Sequence, residues 1–179
     1  MTELQDTNEL KEAGLRHFRD GMYPEALEAF QEARKVFLAA GDKFNAAEIL
    51  NNIGVVHRVE RRKEEAVAAL QEARATFEEL GDQSRAAQAL GNLASVHAGV
   101  KERDEAIRCY RQAIEIFAEL GEGDRQGETL MALSNTQMKQ RRWGEALTTY
   151  YAGLSVLTRP SLFQKFLLWL LAIPLKMMG

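Results

Sequence analysis

The feature that most constrains this chain is its resemblance to itself. Almost every informative residue between Asn51 and Asp82 returns 40 positions away. Gly41-Asp42 comes back as Gly81-Asp82, and Glu25-Ala26, Glu65-Ala66, Glu105-Ala106 and Glu145-Ala146 fall in one phase. Phe30, Leu70, Tyr110 and Tyr150 share another, as do Ala33, Ala73, Ala113 and Gly153, and again Phe37, Phe77, Phe117 and Leu157. A fixed period of this size marks a repeat array, in which no unit has a core of its own and each buries its apolar face on its neighbours. A chain of 179 residues is long enough for one continuous core of that kind.

The local signals within a period are helical. Thr7 to Arg19 reads as a first helix, broken by Asp20-Gly21. Pro24 suits the first turn of the next, where its missing N–H has no partner to lose. Leu27, Phe30, Ala33 and Phe37 then form one apolar stripe at three- and four-residue spacing. Gly41 can end that helix in the left-handed conformation, and Asp42 can cap the following one. Repeating the pattern predicts helices over 43–59, 63–80, 83–99, 103–120, 124–140 and 143–158, hence four hairpins at about 7–40, 43–80, 83–120 and 124–158. Nothing alternates with a strand's period of two, so the fold class is all-α.

Twelve residues before the fixed alanine stand Gly14, Gly54, Ala94 and Ser134, all small. Four residues earlier stand Leu10, Leu50, Leu90 and Leu130. Small residues where two helices cross, large ones beside them, and Ala-x3-Phe/Leu/Tyr-x2-Ala/Gly in the second helix resemble the tetratricopeptide repeat, over roughly residues 7–158. Asn52-Ile53-Gly54, Asn92-Leu93-Ala94 and Leu80-Gly81-Asp82 are similar to signatures of its longer, 40-residue variant in kinesin light chains and related adaptors. Armadillo and HEAT repeats share the length but not this small-residue register. The chain departs from the family pattern in carrying His17, His57, His97 and Gln137 where tyrosine is common. Arg61, Lys101 and Arg141 replace the turn glycine kept as Gly21. The resemblance implies a right-handed superhelical stack over 1–158 whose concave face, lined by the first helix of each hairpin, holds an extended peptide or a helix. By register the groove residues would be Asn51, Asn52 and Val55, then Gln88, Asn92 and Ser95, then Met131, Asn135 and Met138. Asparagine suits an extended backbone because it offers a donor and an acceptor together; the plainer reading leaves these amides simply solvated. The carboxylate clamp of chaperone-binding relatives is incomplete, with Lys11 followed by Leu15, Gln88 and Asn92.

The remaining chemistry argues for binding rather than catalysis. No Gly-rich phosphate loop, zinc spacing or Ser/His/Asp arrangement is present, so neither enzymatic activity nor a cofactor is expected. The three histidines occupy one site in successive repeats, which places them on different hairpins rather than around one metal ion. Cys109, the only cysteine, reads as an inert buried thiol and fits a reducing compartment. A net charge of -3 gives no basic character for nucleic acid. Turns within hairpins are basic (Arg58, Arg61, Arg62, Lys63; Lys101, Arg103; Lys139, Arg141, Arg142), and turns between hairpins acidic (Glu78, Glu79, Asp82; Glu119, Glu122, Asp124). Met1 to Asp6 lacks the apolar run of a secretory signal, so a cytoplasmic location is expected.

Residues 159–179 break the pattern. Pro160 blocks the preceding helix, and Ser161-x-x-Gln164 forms a capping box for a new one. Then follows an apolar segment bracketed by Lys165 and Lys176, with Phe166, Leu167, Trp169, Leu170, Ile173 and Leu175 as its contact residues. Leaving so many large apolar side chains in water is unfavourable by on the order of 10 kcal/mol. Leu162 to Met178 would reach only ~25 Å as a helix, short of a bilayer span. The expectation is a helix that docks on a membrane's inner face or on a membrane protein complex, with Trp169 and the lysines at the interface. The alternative is a helix that caps the array or mediates dimerisation. The chain is thus read as a non-enzymatic scaffold, an adaptor or assembly factor binding a protein partner in its groove.

Overall fold

The computed structural model describes the backbone of residues 2–177 and the side chains of residues 7–171. Among the described residues there are nine helices and no strand: α1 Thr2–Arg19, α2 Tyr23–Ala39, α3 Lys43–Val59, α4 Lys63–Glu79, α5 Gln83–Gly99, α6 Arg103–Glu119, α7 Gly123–Lys139, α8 Trp143–Ser155 and α9 Leu162–Met177. Consecutive helices pack as hairpins, and each hairpin packs on the next. Helix α1 starts five residues before the expected Thr7, and α7 one residue before Asp124.

The helix ends follow the sequence signals. Gly41 and Gly81 lie at φ 73° and 77°, and the next residue caps the following helix: Asp42 Oδ1 accepts from Asn45 N at 3.0 Å and Asp82 Oδ1 from Arg85 N at 2.9 Å. At the turns inside hairpins, Arg61, Lys101 and Arg141 keep the left-handed conformation of Gly21, with φ of 63°, 68° and 62°. The glycine is replaced but its geometry is not, so three basic residues sit in a region unfavourable to any residue with a Cβ.

The core is built where the small residues fall. Ala26, Ala33, Ala66, Ala73, Ala106 and Ala113 are wholly buried, beside Phe30, Phe37, Leu70 and Phe77. At Gly54 an added Cβ would come within 2.6 Å of Leu70 Cγ, so α3 and α4 approach as closely as they do because that side chain is missing. In the last hairpin the approach is backbone on backbone, since a Cβ on Gly127 would lie 2.7 Å from Gly153 O.

Helix α8 ends at Ser155 instead of the expected Thr158. Pro160 accounts for this, because its ring would strike the carbonyl four residues back and it disfavours helical geometry at Arg159. Asp124 fastens the freed segment, accepting from Thr158 N at 2.8 Å and from Thr158 Oγ1 at 2.6 Å. The capping box then forms as expected: Ser161 N donates to Gln164 Oε1 at 2.7 Å and Gln164 N to Ser161 Oγ at 3.2 Å. Helix α9 runs on through Pro174 for 16 residues, about 24 Å. Among the described residues no helix is long and apolar enough to cross a membrane.

Candidate partner-binding groove

The first helices of the hairpins are joined along one face by polar links. Glu48 on α3 receives Lys11 from α1 and Arg85 from α5, the latter at 2.7 Å. Burial pushes the Glu48 carboxyl up, but its bonds to Lys11 and Arg85 outweigh that and hold it below the usual range. Farther along, Ser84 donates to Glu122 at 2.9 Å, and Arg125 also reaches Glu122 at 2.9 Å. Beside these links, α5, α6 and α7 enclose a cavity of about 270 Å³.

Gln88, Asn92 and Ser95 line this cavity, with Tyr110 and Phe117 from α6 and Arg125, Glu128 and Thr129 from α7. Asn92 Nδ2 donates to Asn51 Oδ1 at 3.0 Å, which fixes the amide's orientation. Its Oδ1 accepts from no protein donor among the described residues, and the Gln88 amide makes no hydrogen bond there either. Ser95 Oγ donates to Gly91 O at 3.1 Å and meets Tyr110 Oη at 2.9 Å, an arrangement satisfied when the tyrosine donates. Burial pushes the Tyr110 hydroxyl pKa up, so the group stays a neutral donor. The cavity therefore presents amide groups with hydrogen-bonding capacity open to solvent, beside two aromatic rings.

The other expected groove residues are placed differently. Asn51 is only 6% exposed and orients Asn92 instead of reaching the cavity itself. Asn52 and Val55 are half-buried on α3, outside the cavity. Met131 packs over Gly153 on α8, and Asn135 is exposed on α7. Met138 lines a second, largely apolar cavity of about 520 Å³ with Ser134, Trp143, Ala146, Leu147 and Tyr150. Tyr110 and Arg125 line the cavity too, and the register argument passed them over. The hydroxyl of Tyr110, in a phase held by Phe30 and Leu70 in the first two hairpins, was the available signal.

On α9 the exposed stripe is Leu162, Phe163, Phe166, Trp169 and Leu170, with Trp169 62% exposed. Leu167 is half-buried, and Ile173 and Leu175 lie outside the residues whose side chains are described. The basic rim is partly neutralised: Lys63 pairs with Glu102 at 2.6 Å and Arg62 with Glu60 at 3.6 Å. His17, His57 and His97 stand on α1, α3 and α5, one per hairpin. Cys109 is buried, and burial, then the Glu105 carboxylate, pushes its thiol up.

Stacked helical pairs with a polar, cavity-bearing face define a helical-repeat scaffold. The tetratricopeptide repeat profile matches residues 9–79 and 85–159. The chain belongs to the tetratricopeptide repeat family. Its structure is similar to that of aspartyl phosphate phosphatase F from Bacillus subtilis, with a TM-score of 0.77 and 16% identity over 87% of this chain and 41% of that one. It is also similar to BtubC (BKLC) from P. vanneervenii, with a TM-score of 0.73 and 21% identity over 84% of this chain and 62% of that one. A Rap protein complexed with competence and sporulation factor gives a TM-score of 0.76 and 15% identity, over 87% of this chain and 44% of that one. The chain thus spans from 41% to 62% of these proteins, and at such identities the likeness is one of fold. No curated protein matches it in sequence. Family and fold together support a protein-interaction scaffold.

Proposed function

We propose that this protein is a non-enzymatic adaptor or assembly factor that holds an extended segment of a partner protein against α5 and α7. The observation that carries this reading is the Asn92 amide, oriented by Asn51 and with its Oδ1 free of any protein donor among the described residues, beside Gln88 in a cavity open on the polar face. A photocrosslinking residue at Asn92 should capture one defined partner, and the same residue at exposed Glu115-side positions such as Arg111 should not. Asn92→Ala in the full chain should then weaken that partner at least ~10-fold, the scale expected when a buried hydrogen bond is lost on binding. Equal capture from both faces would refute the groove.

The finer part of the proposal concerns α9, which docks on a membrane's inner face or on a membrane protein complex. The exposed stripe from Leu162 to Leu170, with Trp169 in it, supports this reading. Flotation with anionic vesicles tests it: the protein should rise with the lipid, and Phe166→Ser with Trp169→Ser should stay behind. An intramolecular cap or dimer contact is the second reading. The register favours it, because Leu170 stands where Leu50, Leu90 and Leu130 stand.

A further inference from the structure

The base of the third hairpin gathers three different metal-ligating groups. His97 near the end of α5 and Glu105 and Cys109 on α6 bring a ring nitrogen, a carboxylate oxygen and a sulfur within 4.8 Å of one another. Glu105 and Cys109 are four residues apart, so both project from one face of α6. His97 lies across the hairpin, eight residues before Glu105, where the turn folds α5 back on α6. The ring is also held in place: Glu102 Oε2 lies 2.7 Å from His97 Nδ1, and Lys63 holds the other Glu102 oxygen at 2.6 Å. A carboxylate holding Nδ1 leaves Nε2 as the nitrogen for an ion and fixes the tautomer, as partners of metal-bound histidines do.

We propose that His97, Glu105 and Cys109 bind one divalent ion of the zinc class. Thiolate, imidazole and carboxylate together suit Zn²⁺ or Co²⁺ and not Mg²⁺ or Ca²⁺, which favour oxygen-only sets. Around a tetrahedral ion with such bond lengths, donor atoms stand roughly 3.3–3.8 Å apart. Cys109 Sγ and Glu105 Oε1 are already at 3.9 Å and no pair in the set exceeds 4.8 Å, so closing it needs shifts of about 1 Å.

The other hairpins serve as internal controls. His17 has Glu25 and Ala29 in the same phases, His57 has Glu65 and Ala69, and Gln137 has Glu145 and Thr149. The third hairpin alone combines the ring, the carboxylate and a thiol. The charged groups around the thiol are Glu105 and Arg108 on its own helix and Arg74 on α4. Binding draws Glu105 from Arg108, to which it is paired, and releases the Cys109 proton to solvent. Affinity therefore rises with pH. Tyr110, the neighbour of Cys109, lies in the groove floor, so an ion here would brace α5 against α6 beside the cavity. The site is independent of what the groove binds.

Titration of the full, reduced chain with Co²⁺ tests this. The expected result is one equivalent bound, with a near-ultraviolet thiolate-to-cobalt band and tetrahedral visible bands that Zn²⁺ abolishes. Cys109→Ala, which places in this hairpin what the first two carry, should keep its helical circular dichroism and lose the thiolate band. His97→Gln, the residue of the fourth hairpin, should also stay folded and bind at least ~10-fold more weakly, and Glu102→Gln should weaken binding ~10-fold. Absence of the thiolate band in the parent protein would overturn the proposal. So would binding that folded Cys109→Ala leaves unchanged, since the ion would then sit elsewhere.

Discussion

The seam between α2 and α3 and the one between α8 and α9 occupy the same register and pack in opposite ways. At the first, Ala46 and Ala47 face the preceding hairpin and both are buried, as are Ala86 and Ala87 one repeat later. At the last, the same positions are Phe166 and Leu167. Large side chains stand at that crossing, no described helix covers the second face of α9, and Phe166 and Trp169 are exposed. Residue size at a crossing limits how closely a helix can join the stack.

Mutations at matched depths can break this comparison. Phe77→Ala, at a wholly buried ring, should destabilise the chain by ~3–5 kcal/mol in urea denaturation, whereas Phe166→Ala should stay within ~0.5 kcal/mol. Comparable losses would mean that α9 is packed as tightly as the interior. Gly54→Val should remove ~2–3 kcal/mol, because the added atoms meet Leu70; an unchanged midpoint would show that the interior seams tolerate bulk as the end does. Glu48→Gln probes the links between first helices. The folded Glu48 carboxyl is held below its ordinary value of 4.5, so its contribution is complete above that pH and fades as the pH falls through the folded value. The substitution should cost ~1 kcal/mol or less at pH 7 and progressively less as the pH falls through the folded value; a loss that did not shrink in acid would assign the effect to packing. The smallest effect is a gain: Arg61→Gly should add ~0.5–1 kcal/mol by relieving the left-handed turn.

Much of this architecture is legible in the residues themselves. The hairpins follow from Ala26, Ala66, Ala106 and Ala146, the helix starts from Asp42 and Asp82, and the start of α9 from Ser161 and Gln164. The groove is less legible, because register says which residues share a face but not which of them touch. Asn51 and Asn92 hold the same phase give or take one residue, yet one is spent orienting the other. Met131 and Asn51 share a phase outright, but the glycine at 153 draws the methionine onto α8. The meeting of His97 with Cys109 depends on how the turn at Lys101 closes, which pairwise spacing along one helix does not reveal.

The bare contact between Gly127 and Gly153 bears on how the molecule yields. Elsewhere two helices mesh through interlocking teeth, such as Phe30 and Leu70, and cannot slip without climbing over them. At this level the backbones of α7 and α8 touch directly, with Leu130 and Met131 beside Gly153 and Leu157 beside Gly127, and no large ring is locked between them. Amide exchange in α8 should therefore run ahead of that in α4.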